Sequence, residues 1–187
     1  TGSWSVAAAH GYEDGEHLPF ELVCANAQRI CDRVSVPVTI DMEGGYGQTP
    51  ELVKRHVAQI IQTGAVGINL EDQLPAGNGL YTIQEQQERI KAAREAAEEA
   101  GISLFINART DIFLQADVKT HDLTHVEAAL ERAHAYAQAG AHGIFVPGLV
   151  QELWIRHLCQ QSPIPVNVMI SATSPSNSTL TECGVAR

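Results

Sequence analysis

Cysteines at metal-ligand spacing are missing from this chain: Cys24, Cys31, Cys159 and Cys183 contain no CxxC, and the first two sit seven apart in what reads as one helix. Neither a zinc site nor a disulfide framework follows, and a reduced, cytoplasmic protein is expected. Positive charge is scarce too. Twelve Lys and Arg face 22 Asp and Glu, a formal charge of -10. A phosphate backbone or an anionic membrane surface would not be attracted, so neither nucleic acid nor membrane is expected as a partner. No apolar run of about 18 residues exists to cross a bilayer, and the N-terminus shows no basic segment followed by an apolar core. Phosphate-cradling GxGxxG and GxxxxGK[ST] loops are also absent.

What is present suits one globular domain over residues 1–187. Hydrophobic residues make up 44% and charged residues 18%, and a chain of this size buries roughly 70% of its unfolded surface. The chain is organised around Val36-Pro37-Val38-Thr39-Ile40-Asp41-Met42-Glu43-Gly44-Gly45-Tyr46-Gly47. A β-branched run reads as a buried strand that the glycines stop. Asp41 and Glu43, two apart on a strand, would project from one face and invite a cation.

The pattern recurs. Pro19 opens a helix to about Arg33, and Thr49-Pro50-Glu51 caps another that ends at Gly64. Val66–Asp72 reads as a strand ending in Glu71 and Asp72, followed by a Gly/Pro loop and a helix from Ile83 to Ala100. Ile102–Arg109 is a strand ending in Asn107 and Arg109. Helix 124–139, strand 143–148, helix 151–160, strand 165–169, helix 176–183 and a strand beginning at Gly184 complete the order. Apolar strands alternating with amphipathic helices mean a parallel sheet with helices outside. A doubly wound sheet fits this alternation; polar groups after several successive strands, with no phosphate loop, tilt the choice to a β/α barrel. At one barrel rim Asp41, Glu43, Glu71, Asn107 and Arg109 would meet.

Five segments carry a family resemblance: Gly11-Tyr12-Glu13-Asp14-Gly15-Glu16, Asp41-Met42-Glu43-Gly44-Gly45-Tyr46-Gly47, Gly64–Asp72, Ile106-Asn107-Ala108-Arg109-Thr110-Asp111 and Phe145-Val146-Pro147-Gly148. Together they resemble the isocitrate lyase and phosphoenolpyruvate mutase superfamily, nearest its carboxyvinyl-carboxyphosphonate phosphorylmutase-like members. The resemblance implies a (β/α)8 TIM-type barrel with Mg²⁺ at its rim. It also implies cleavage or rearrangement of a C–C or P–C bond in a small 2-oxo-acid or phosphoenolpyruvate-like carboxylate, through an enolate. Asp41 would be the main metal ligand, with Glu43, Glu71 and Asp14 holding the metal or its waters. Arg109 would neutralise developing charge, forming with Asp14 and Glu71 the implied catalytic set. Thr1, Gly2 and Ser3 would offer backbone N–H groups to a substrate carboxylate, with Gly44 and Asn107 as further substrate contacts.

This chain departs from the family in instructive places. The lyases carry Lys-Lys-Cys-Gly-His after the Glu-Asp pair, where Gln73-Leu74-Pro75-Ala76-Gly77-Asn78-Gly79-Leu80 stands here, so isocitrate lyase activity is not expected and Asn78 reads as a turn. By the family's pattern the barrel is incomplete at both ends, lacking its first strand and most of its eighth, which reads as a piece of a longer protein. The complete protein is expected to be a homo-oligomer, a dimer or tetramer. The alternative function is an inert or truncated barrel kept as a binding or assembly module. His121 and His125 read as a solvated pair, Trp4 and Trp154 as packing anchors, and the charged run Glu85–Glu99 as a solvated helix face.

Overall fold

The computed structural model describes residues 1–75 and 79–187, so the turn expected at Asn78 lies outside the described residues. Strands β1 (Thr39–Asp41), β2 (Gly67–Glu71), β3 (Phe105–Arg109), β4 (Gly143–Phe145) and β5 (Val166–Asn167) form one parallel sheet in chain order. Parallel neighbours need long crossovers. Helices α3 (Pro50–Gln62), α4 (Ile83–Glu99), α5 (Ile112–Gln115) with α6 (Leu123–Gln138), and α7 (Glu152–Gln161) supply them in turn. Helices α1 (Ser3–Ala9) and α2 (Phe20–Cys31) precede β1, and α8 (Asn177–Cys183) follows β5.

Local chemistry sets the helix starts. Thr49 Oγ1 accepts the Leu52 N–H at 3.3 Å ahead of Pro50, where a missing N–H costs nothing. Thr82 and Glu85 close a reciprocal capping box on α4. Along the strands the residues alternate between two environments. Ile40, Ile68, Leu70, Ile106, Ala108, Ile144 and Val166 are buried in one cluster with Val53, Val57 and Ile60 of α3, Ile90 and Ala93 of α4, and Val126 and Ala129 of α6. The intervening positions hold the strands' polar residues, and register aligns them. Asp41 pairs with Asn69, Asn69 with Asn107 and Asn107 with Gly143; one layer further, Glu71 pairs with Arg109, Arg109 with Phe145 and Phe145 with Asn167.

The sheet is curled. Ala186 N–H donates to the Val166 carbonyl at 2.9 Å and Val168 N–H to the Arg187 carbonyl at 3.1 Å, so the segment after Gly184 runs along β5. A flat sheet would hold that segment about 24 Å from β1. Instead the Arg187 guanidinium donates to Thr39 Oγ1 at 3.4 Å. Polar strand positions therefore face the concave side and the apolar ones face the helices.

Two expectations need correction. The run from Val36 does not form one buried strand: Val36 is 65% exposed and pairing begins at Thr39, because Pro37 has no N–H to offer a ladder. His121 and His125 are not a solvated pair. Their rings pack on Phe113 at 4.9 and 5.8 Å, and His121 Nε2 lies 2.9 Å from the Phe113 carbonyl oxygen.

Behind the ends of β2 and β3, Asp72 is fully buried. Its carboxylate accepts the Asp111 N–H at 3.0 Å, an Arg132 N–H at 2.9 Å and the Tyr136 hydroxyl at 2.7 Å. Removing one partner of a buried pair leaves the other charge uncompensated. Asp72→Ala is expected to lower the unfolding free energy by about 3–5 kcal/mol, read from the midpoint of urea denaturation.

Candidate active site

The concave side opens into a cavity of about 510 Å³ whose lining includes Ser3, Asp14, Asp41, Asn69, Asn107, Arg109 and Asn167. A second cavity of about 560 Å³ takes Asp14, Glu16, Glu43, Gly44, Glu71 and Tyr81. Asp14 lines both. The Arg109–Glu71 ion pair, 3.0 Å between Nη1 and Oε2, connects them, since Arg109 lines the first and Glu71 the second.

Arg109 ends β3 and is held from two sides. Asp111 grips it through Nε at 2.6 Å and Nη2 at 3.0 Å, and Glu71 takes Nη1. A guanidinium has five N–H groups, so one hydrogen on each Nη remains for another partner. Burial acts to lower the guanidinium's pKa, but Asp111 and Glu71 outweigh it and the net shift is upward, so Arg109 is a fixed cation. Glu71 answers differently: burial pushes its carboxyl up to about 8 against the pull of Arg109, with Asp111, Asp41 and Glu43 adding like charge. Like-charge crowding in a dry site is what a cation relieves.

Asp41, at the end of β1, is fixed by donors. Ser3 N–H reaches its Oδ2 at 3.1 Å, and Asn69 Nδ2 and the Glu43 N–H reach Oδ1 at 3.2 and 3.4 Å. The Ser3 N–H expected for a substrate carboxylate thus meets Asp41 here. Thr1 is tied to β1 through its backbone nitrogen on the Thr39 carbonyl at 2.7 Å, and its Oγ1 accepts the Asp41 N–H at 3.2 Å; Gly2 lines the same cavity.

Glu43 does not share a strand face with Asp41. β1 ends at Asp41, and Glu43 has φ +49, left-handed backbone rather than extended. Its carboxylate therefore turns to the second cavity, accepting the N–H groups of Gly15 and Glu16 at 2.7 Å each and the Tyr46 hydroxyl at 3.0 Å. Burial raises its pKa. Among the described residues no three acids, histidines or cysteines stand in a ready-made metal cage. The acids Asp14, Asp41, Glu43 and Glu71, shared between two adjoining cavities, instead fit a hydrated dication that takes one or two carboxylates directly and the rest through water.

Three features were not expected. The first is Arg89, 1% exposed inside a helix face read as solvated. It donates to the carbonyls of Gly44 and, at 2.7 Å, Gly47, to Gln86 Oε1 at 3.0 Å, and covers the Tyr81 ring at 4.2 Å. Gln86 in turn donates to the Glu71 carbonyl at 3.1 Å. Gln86, Arg89, Ile90, Ala93 and Ala97 follow helical spacing, the signal that could have marked Arg89 as inward. The second is the pair Asn69 and Asn167, polar residues in phase with Asp41 and Arg109 on their strands. The third is Trp4, which is 70% exposed at the cavity mouth instead of anchoring the core, while Trp154 does pack against it.

Residues 1–187 match the family model described as phosphoenolpyruvate phosphomutase. The chain belongs to this family. A candidate phosphonomutase of Burkholderia cenocepacia J2315 is 50% identical in sequence, covers 100% of the chain and is matched over 75% of its own, at a TM-score of 0.96. A 2,3-dimethylmalate lyase, a member of the PEP mutase/isocitrate lyase superfamily, is 29% identical over 99% of this chain and 64% of its own, at a TM-score of 0.83. The 2-methylisocitrate lyase of Escherichia coli K12 is 28% identical over 173 residues, 89% of this chain. That match spans 55% of the lyase, so this family member covers about half the length of such curated relatives.

Arg89 holds the acidic turn from behind. Arg89→Met is expected to cost about 1.5–3 kcal/mol, the range of a hydrogen bond to a charged group. Faster amide hydrogen exchange at Gly45 and Tyr46 would show that the turn itself has loosened.

Proposed function

We propose that this chain carries the working rim of a magnesium-dependent enzyme that cleaves or rearranges a C–C or P–C bond of a 2-oxo-acid or phosphoenolpyruvate-like substrate through an enolate. The observation that carries this reading is the pair of arrangements meeting at one cavity. A doubly held guanidinium keeps two N–H groups in hand, and a carboxylate, Asp41, is fixed beside it. Family membership supports the reading, because its named relatives include both a phosphomutase and C–C lyases.

Asp41 would hold Mg²⁺ directly, with Glu43, Glu71 and Asp14 receiving its waters, and the ion would supply positive charge to an enolate oxygen. The chain's own residues do the rest. The free Nη hydrogens of Arg109 hydrogen-bond a substrate carboxylate or oxyanion, and the Asp111 grip keeps the planar fork aimed before substrate arrives, so no reorganisation is needed as charge develops. Glu71 and Asp14 border the second cavity, where they can accept or return a proton. The segment Thr1–Ser3 lies at the first cavity's edge for a carboxylate end. Gly44 lines the second cavity without a side chain; a Cβ there would lie 3.1 Å from Glu16 Oε1. The five observed strands are proposed to be the middle of a (β/α)8 barrel whose remaining strands belong to a longer, homo-oligomeric protein.

Arg109→Ala and Asp41→Ala are each expected to abolish turnover, by at least about a hundredfold, with the far-UV spectrum unchanged. Assay against phosphonopyruvate, oxaloacetate, 2-methylisocitrate and 2,3-dimethylmalate checks this. Wild-type rates in both variants would refute the proposal.

A further inference from the structure

The concave face carries a polar chain that crosses the sheet. Asn167 donates through Nδ2 to Asn107 Oδ1, Asn107 Nδ2 donates to Asn69 Oδ1 at 2.9 Å, and Asn69 Nδ2 donates to Asp41 Oδ1 at 3.2 Å. The direction is forced. An ionised carboxylate can only accept, so Asn69 must present its NH₂ to Asp41 and its oxygen to Asn107. Asn107 must then present its NH₂ to Asn69 and its oxygen to Asn167. Three amide dipoles thus align toward one carboxylate, and each bond polarises the next.

Crossing β4 is the difficult part. Asn107 lies on β3 and Asn167 on β5, with β4 between them, and the β4 residue in register with Asn107 is Gly143. A Cβ at Gly143 would lie 2.9 Å from Asn107 Oδ1 and 3.4 Å from Asn167 Nδ2. Its backbone is not in the left-handed region, so conformation does not require glycine here. What glycine provides is an open passage through which the amide of β5 meets that of β3. Asn69 is half-buried, while Asn107 and Asn167 are each 6% exposed. The two nearly buried amides, Asn107 and Asn167, would each lose a hydrogen-bond partner were the chain broken.

We propose that Asn69, Asn107 and Asn167 are positioning residues that act through Asp41. The amide chain fixes the carboxylate's orientation from the far side of the sheet, and Gly143 is the gap that lets the chain pass. Asn107, expected as a substrate contact, has its oxygen and an N–H of its amide committed to this chain. The proposal rests on Asp41 being the principal magnesium-holding residue.

The test titrates MgCl₂ calorimetrically into wild-type protein, Asp41→Ala, Asn107→Leu and Gly143→Ala, alone and with oxalate, while thermal unfolding is followed in parallel. Residues that orient a metal ligand from behind are worth about 10–100-fold in affinity. Asn107→Leu and Gly143→Ala are therefore each expected to weaken magnesium binding at least about tenfold, and magnesium-dependent oxalate binding with it. A structural role alone would lower the melting temperature and leave both affinities where they were. If Asn107→Leu does not fold, Gly143→Ala decides, since it leaves every side chain of the chain in place and adds a single methyl group. Wild-type affinities in the folded ladder variants, with Asp41→Ala silent, would overturn the amide-chain proposal alone. Wild-type affinity in Asp41→Ala, or no magnesium binding by the wild type, would instead remove the reading on which it rests.

Discussion

The parallel register of β1 to β4 is the constraint from which the site follows. Because Asp41, Asn69, Asn107 and Gly143 are direct partners, as are Glu71, Arg109 and Phe145 one layer on, the site's strand-borne side chains are placed by backbone hydrogen bonds. A shift of one residue in any strand would exchange its polar face for its apolar one. That exchange would bury Asn or Arg against the helices and turn Leu70 or Ile106, both fully buried here, toward the cavity. The hydrophobic contacts with α3, α4 and α6 therefore hold the register, and the register holds the chemistry.

Charge in the two cavities and behind them is balanced locally. Arg109 sits between two carboxylates, Asp72 between Arg132 and Tyr136, and Glu43 among N–H and O–H donors. Glu71 is the member least well compensated, with burial and neighbouring acids outweighing one guanidinium. On the proposed reading, this acid-rich rim with one fixed cation would receive a dication along with an anionic substrate. Helix α4 contributes to this from outside: through Gln86 and Arg89 it pins the ends of β2 and of the Glu43–Gly47 turn. The left-handed backbone at Glu43 and Tyr46 persists because that turn is tied at several points.

Much of this was legible in the residues. The order of strands and helices, the helix cap at Thr49, the acidic ends of β1 and β2, and Arg109 at the end of β3 all follow from local rules, and five short segments were enough to point to the family. The common face expected of Asp41 and Glu43 fails because a two-residue spacing implies it only while the strand continues, and this one stops at Asp41. The inward side of Arg89 is masked along the sequence by the charges around it, because a charged helix looks exposed until its neighbours are known. Trp4, expected to pack, is exposed beside the first cavity, because a large aromatic is buried on average but not at every position.

The amino-acid sequence by itself determined the alternation of strand and helix, the family, and the residue types gathered at the strand ends, because periodicity and capping are properties of neighbours along the chain. Only the tertiary structure decided that Asp41 and Glu43 part company, that Arg89 lies beneath the acidic turn, and that Asn167 reaches Asn107 over a glycine. Those relations depend on the curl and stagger of the sheet, which come from packing summed over all its layers and leave no mark at any single position.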